Sequence, residues 1–142
     1  MRLRSVPFVL VFAAVLAAPL GAQQPSKTEK TLREPDIFYL PTPQPVVEAM
    51  LALANVTAND VIYDLGSGDG RIPITAAKMF GARGVGIDIQ EKMVAEATAN
   101  AAKEGVSDKV KFLNADIFEH DFSEATVVTL YLLPTLNEKL IP

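Results

Sequence analysis

From about residue 45 onward, short apolar runs alternate with segments whose apolar residues recur at helical spacing, an order that predicts βαβ units and a parallel sheet. Pro45 opens the first helix, in which Val46, Val47, Met50, Leu51, Leu53 and Ala54 are apolar and the proline stands in the first turn, where no amide hydrogen is needed. Residues 61–65, 84–88, 110–114 and 126–131 read as four strands. Between them, 71–80 reads as a helix with Pro73 in its first turn and Gly81 as its stop, and alanine-rich 91–104 reads as a helix ended by Gly105. No internal repeat and no low-complexity tract interrupts this order.

The first residues follow a different pattern. Arg2 and Arg4 precede a nearly continuous apolar run over 6–18, then come Pro19, Leu20, Gly21 and Ala22, and a polar stretch from Gln23. That is the three-part layout of a secretory signal peptide over 1–22. Cleavage near Ala22 is expected, leaving a periplasmic or secreted product. An uncleaved membrane anchor is the alternative, and in that case only this segment would touch a membrane. Residues 23–36 are polar and read as a flexible linker, so the folded domain is expected over 37–142.

Composition removes whole classes of chemistry. Among 142 residues there is no Cys and one His, which excludes disulfides, thiolate metal sites and cysteine nucleophiles, and no metal site is expected. The net charge is −4, without a basic cluster, so a nucleic-acid partner is not expected either. His120 stands between Glu119 and Asp121 and reads as a solvated loop residue.

The sharpest feature is Asp64-Leu65-Gly66-Ser67-Gly68-Asp69-Gly70-Arg71, placed between a predicted strand and a predicted helix. Gly66, Gly68 and Gly70 allow a tight turn and close approach of backbone to a ligand, and the helix that follows offers free N–H groups, which makes a nucleotide-type cradle with Ser67 among its residues. A dinucleotide fingerprint would need glycine at position 71, where this chain has Arg71, so a nicotinamide-dependent oxidoreductase is the weaker alternative. Asp88 ends the second strand, where a carboxylate can accept from both ribose hydroxyls, with Ile89 beside it. Asp116 follows the third strand, where it can accept from an adenine amino group while Ile117 or Phe118 covers the ring. Three acids at neighbouring strand ends suit a cationic nucleoside better than a pyrophosphate, because Asp64 attracts an ammonium and repels phosphate.

With these residues in place, the sequence resembles the class I S-adenosylmethionine-dependent methyltransferases. The stretch from Asp64 to Gly70 is similar to their first motif, Asp88 to their ribose acid, Asp116 to their adenine acid, and Tyr131-Leu132-Leu133-Pro134 occupies the place of the motif that faces the substrate. Leu40-Pro41-Thr42-Pro43 before a helix, together with Asp64 to Ile72 and Val85 to Asp88, resembles more narrowly the small protein-lysine methyltransferases acting on mitochondrial ATP synthase and the adenine nucleotide translocase, and their bacterial relatives. The resemblance implies an α/β, Rossmann-like methyltransferase domain, S-adenosyl-L-methionine as cofactor, and a protein lysine as acceptor. No general base is evident. Tyr131, Pro134, Tyr39 and Thr42 are the candidates for walls of an apolar channel that would favour the neutral amine. Leu132-Leu133-Pro134 stands where amide and adenine N-methyltransferases carry an Asn-Pro-Pro-Tyr type motif, which speaks against those acceptors. The sheet of that family is larger than the four strands read here, so the domain is expected to be C-terminally incomplete, with Val127, Val128 and Leu130 on an exposed edge that invites association. A non-catalytic nucleotide-binding fragment is the remaining alternative.

Overall fold

The computed structural model describes residues 32–35 and 39–140, so the signal peptide expected over 1–22 lies outside the described residues. Four parallel strands, β1 (Val61–Leu65), β2 (Arg83–Asp88), β3 (Val110–Asn114) and β4 (Val127–Leu130), stand in the order β3-β2-β1-β4. The order reverses beside β1, and open parallel sheets bind ligands at such a switch point, beyond the carboxyl ends of the strands.

β1 reads as a run of apolar residues because it is central and buried at every position. Ile62 faces one side with Val47 and Leu51 of α1 (Gln44–Leu53) and with Ile72 and Ala76 of α2 (Arg71–Phe80). On the same side, Ile74 and Ala77 of α2 meet Ala101 of α3 (Glu91–Lys103), Val110 and Phe112. Val61, Tyr63, Leu65, Val85 and Ile87 point the other way, where Leu113, Ala115, Ile117, Phe122, Ala125 and Leu140 cover them. Leu51, Ile62, Leu65 and Ile87 are fully buried, each worth about 1.5–3 kcal/mol of apolar transfer.

Element limits differ from the sequence reading where side chains compete with the ladder. Thr126 is excluded from β4 because its hydroxyl accepts from Val61 N at 2.9 Å and donates to Asp60 Oδ1 at 2.7 Å, tying the entrances of β1 and β4 together. Tyr131, at the other end, lies outside the strand. β2 begins one residue earlier, at Arg83, whose amide donates to Asp60 O at 3.1 Å. A short helix absent from the sequence reading, α4 (Pro134–Leu140), follows β4, with Pro134 at its start and Leu136 buried. Among the described residues β4 pairs with β1 alone, and Val128 and Leu130 are exposed.

Candidate functional site

A cavity of about 820 Å³ opens beyond the carboxyl ends of β1, β2 and β4. The loop after β1 forms its floor. Gly66 N and Ser67 N both donate to Ile87 O, at 2.9 and 3.0 Å, and Gly68 N donates to Asp88 Oδ2 at 2.9 Å, so the loop is pinned to the end of β2. The other oxygen of Asp88 accepts from Gln90 N at 2.9 Å and starts the turn into α3.

Asp64 is buried at 2% exposure, and its Oδ1 accepts from Thr129 Oγ1 at 2.7 Å across the β1–β4 pair. Burial pushes its carboxyl up to about 7; the Thr129 hydrogen bond opposes this, and the neighbouring charges of Asp88 and Asp69 add to it. Asp69 goes the other way: burial raises it, but the Arg71 guanidinium outweighs burial and holds it below the ordinary carboxylate range. Ser67 Oγ is buried and, among the described residues, has no hydrogen-bond partner.

Asp64, Gly66, Ser67, Asp88, Ile89, Ile117, Tyr131, Tyr39 and Thr42 all line this cavity, as the sequence reading expects them to converge. Four expected residues do not. Gly68 has φ +51, and a Cβ there would lie 2.1 Å from Tyr39 Cε2, because the Tyr39 ring packs on it and lines the cavity in its place. Gly70, with φ +79, is the residue before α2, and its missing side chain leaves room for Phe112 and Ala97 on the core side. Its glycine serves packing, not the cavity. Pro134 begins α4, and Leu132 and Leu136 are the wall residues there. Asp116 is engaged by Arg33, whose Nε donates to Oδ2 at 2.6 Å while Phe118 N donates to Oδ1 at 3.0 Å; Arg33 lines the cavity instead. The flexible linker expected over 23–36 therefore does not include Arg33, whose guanidinium is fixed by Asp116 and lies 5.0 Å from the centre of the Phe118 ring.

Gly68→Ala is expected to destabilise the chain by at least about 1–2 kcal/mol, since alanine in the left-handed region is strained and its methyl group would displace the Tyr39 ring. Denaturant unfolding checks this, and an unchanged midpoint would show that Tyr39 is not seated on the loop.

A family model described as the ANTKMT methyltransferase domain matches residues 64–142, which includes the glycine loop, both later acids and α4. The chain belongs to this family. This methyltransferase domain is 49% identical over 109 residues to a protein-lysine N-methyltransferase of Saccharolobus islandicus (strain REY15A), a match covering 76% of the chain and 68% of that protein. It is 31% identical over 113 residues to an ATP synthase lysine N-methyltransferase of Xenopus laevis, covering 77% of the chain and 49% of that protein. A crystal structure described as an RNA methyltransferase from Salinibacter ruber in complex with S-adenosyl-L-homocysteine superposes with a TM-score of 0.71 at 61% identity, covering 71% of this chain and 66% of that one. The chain thus spans about half to two thirds of the length of these relatives.

Arg33, Asp69, Leu132 and Leu136 are cavity residues of the methyltransferase domain that sequence reasoning missed. Arg33 lies 83 positions from its partner, and no local pattern announces such a pairing. Asp69 carries a readable signal, since an acid two residues ahead of a helical Arg can accept from that residue's amide, as Asp69 Oδ1 does from Arg71 N at 3.2 Å.

Proposed function

We propose that this chain binds S-adenosyl-L-methionine in the cavity beside the glycine loop and methylates the ε-amine of lysine in a protein. The observation that carries the reading is an imbalance of charge. Asp64, Asp69 and Asp88 line the cavity with Arg33 and Arg71, and each arginine is already paired, with Asp116 and Asp69 respectively. Asp64 has a neutral hydroxyl as its donor and carboxylates nearby, so the cavity favours a cation. An ammonium and a sulfonium supply that charge, whereas the phosphates of a nicotinamide dinucleotide do not.

The residues present fit the cofactor. Asp64 would face its ammonium, Asp88 retains acceptor capacity for ribose hydroxyls, and Ser67 Oγ is a polar atom without a partner among the described residues. Asp116 and Ile117 would stand at the adenine end, where an adenine amino group would share Asp116 with Arg33. The cofactor supplies a methyl group already activated by its positive sulfur, so this chain has to orient and desolvate. Leu40, Tyr131, Leu132 and Leu136 make an apolar wall around the opening, which disfavours an ammonium and so helps a lysine enter as the neutral amine. In the transfer, the amine nitrogen bonds to the methyl carbon, the carbon–sulfur bond breaks with its electron pair on sulfur, and the amine proton leaves to solvent.

The Salinibacter structure, described as an RNA methyltransferase, favours a second reading with a nucleic-acid acceptor. The acidic balance of 17 Asp and Glu against 13 Lys and Arg weighs against it. Calorimetric titration with S-adenosyl-L-methionine, followed by transfer of a labelled methyl group to poly-L-lysine or to total RNA, tests both. Binding with label in poly-L-lysine supports the proposal; label in RNA alone replaces the acceptor, and absence of binding removes the cofactor.

A further inference from the structure

Arg71 stands where a dinucleotide site would carry glycine, and the structure gives its side chain a use that the cofactor reading leaves open. It is the first residue of α2, and its guanidinium divides between two partners. Nε donates to both oxygens of Asp69, at 3.0 and 3.1 Å, and Nη2 donates to Asp69 Oδ2 at 2.6 Å. Nη1 donates to the main-chain oxygen of Thr42 at 2.9 Å. Thr42 is buried and lies between Pro41 and Pro43, in a segment that offers few amide donors of its own.

Asp69 is itself held from behind, since Asn100 of α3 donates to its main-chain oxygen at 3.0 Å. The segment meets the glycine loop at a second point, where the Tyr39 ring lies on Gly68, and α2 at a third, where Gln44 Nε2 donates to Thr75 Oγ1 at 3.1 Å. Of these three, the Arg71 contact is the one that joins charge on the loop directly to the main chain of the segment. A planar guanidinium can grip a carboxylate and still present a donor at an angle, whereas an ammonium at the same position cannot span both partners.

We propose that Arg71 is a positioning residue for the acceptor: its clasp on Asp69 and Thr42 fixes the segment carrying Tyr39 and Thr42 against the glycine loop, and so sets the wall along which the acceptor amine approaches. The inference rests on the lysine methyltransferase reading. It assigns Arg71 to the acceptor side of the cavity and gives it no contact with the cofactor.

The test compares the full chain with Arg71→Ala and Arg71→Lys in three measurements: calorimetric affinity for S-adenosyl-L-methionine, initial rates against poly-L-lysine, and amide hydrogen exchange. In both variants KM for poly-L-lysine is expected to rise about tenfold, the size of one lost hydrogen bond to a charged group, while cofactor affinity changes by less than about threefold. Exchange should accelerate at amides of residues 40, 42 and 44 and stay unchanged in β1 and β2. An unchanged KM with native exchange overturns the proposal. So does recovery by Arg71→Lys, or a loss of cofactor affinity equal to the rise in KM. A wild-type chain that binds no S-adenosyl-L-methionine removes the methyltransferase reading, and the acceptor role with it; exchange at 40–44 still reports separately whether the clasp exists.

Discussion

Asp64→Asn is expected to give a chain that is more stable than wild type above pH 7 yet binds S-adenosyl-L-methionine about ten- to a hundredfold more weakly, since hydrogen bonds to charged groups contribute about 1.5–3 kcal/mol. Burial, with Asp88 and Asp69 nearby, pushes the Asp64 carboxyl up to about 7, above its ordinary 3.8. Between those two values the folded chain holds a proton that the unfolded chain has released. Folding stability therefore falls as pH rises from about 4 to about 7 and levels off above it, by an amount on the order of a few kcal/mol. Asparagine keeps an oxygen for Thr129 and carries no charge to desolvate, so the variant lacks this slope.

Urea unfolding of both chains at pH 5 and pH 8 reads the effect. Comparing the two chains cancels the contributions of Asp60, Asp69, Glu104 and Asp121, which sit below their ordinary values and titrate in both. If Asp64→Asn gains nothing at pH 8 relative to pH 5, the buried carboxyl is not a stored cost. The same proton makes cofactor affinity pH-dependent: a cation binds best to the carboxylate, so wild-type affinity should weaken as pH falls below about 7, and the Asp64→Asn chain should show no such trend.

The same contrast between local and distant partners decides what was legible in the sequence. The limits of β1, α2 and β3 could be read because apolar runs, Pro73 and Gly81 are local signals acting where the chain has no rival partner. The ends of β4 could not, because Thr126 bonds with Asp60 and Val61, 66 and 65 positions away. Gly66 and Asp88 were legible as a site because a glycine loop after one strand and an acid at the end of the next must meet in a parallel pair, as the Asp64–Gly86 and Leu65–Ile87 register makes them do. Arg33 on Asp116 and Arg71 on Thr42 were not, since each depends on how a distant segment is laid across the sheet. Gly70 misled for a related reason: its spacing in the loop suggests a ligand, while Phe112 and Ala97 use the space.

Asp88→Ala is expected to lose both stability and cofactor affinity, which sets it apart from Asp64→Asn. Its two oxygens accept from Gly68 N and Gln90 N, so the truncation orphans one buried donor at the loop and one at the turn into α3. Each unsatisfied donor costs about 1–3 kcal/mol where water cannot reach it, and the Gly68 contact is buried. Cofactor affinity should fall by more than about tenfold, since the ribose loses its acceptor and the loop its anchor together. Asp88→Asn separates the two causes. An amide keeps one acceptor oxygen and turns the other position into a donor, so it can satisfy Gly68 N or Gln90 N but not both along with a ribose hydroxyl. Stability that recovers in Asp88→Asn while affinity does not would place Asp88 on the ribose. Affinity that recovers in step with stability would make it a scaffold for the loop alone, and wild-type affinity in Asp88→Ala would remove it from the site. Measured beside Asp64→Asn, the pair distinguishes an acid whose charge is left open to a cation from an acid whose charge is already engaged by the backbone.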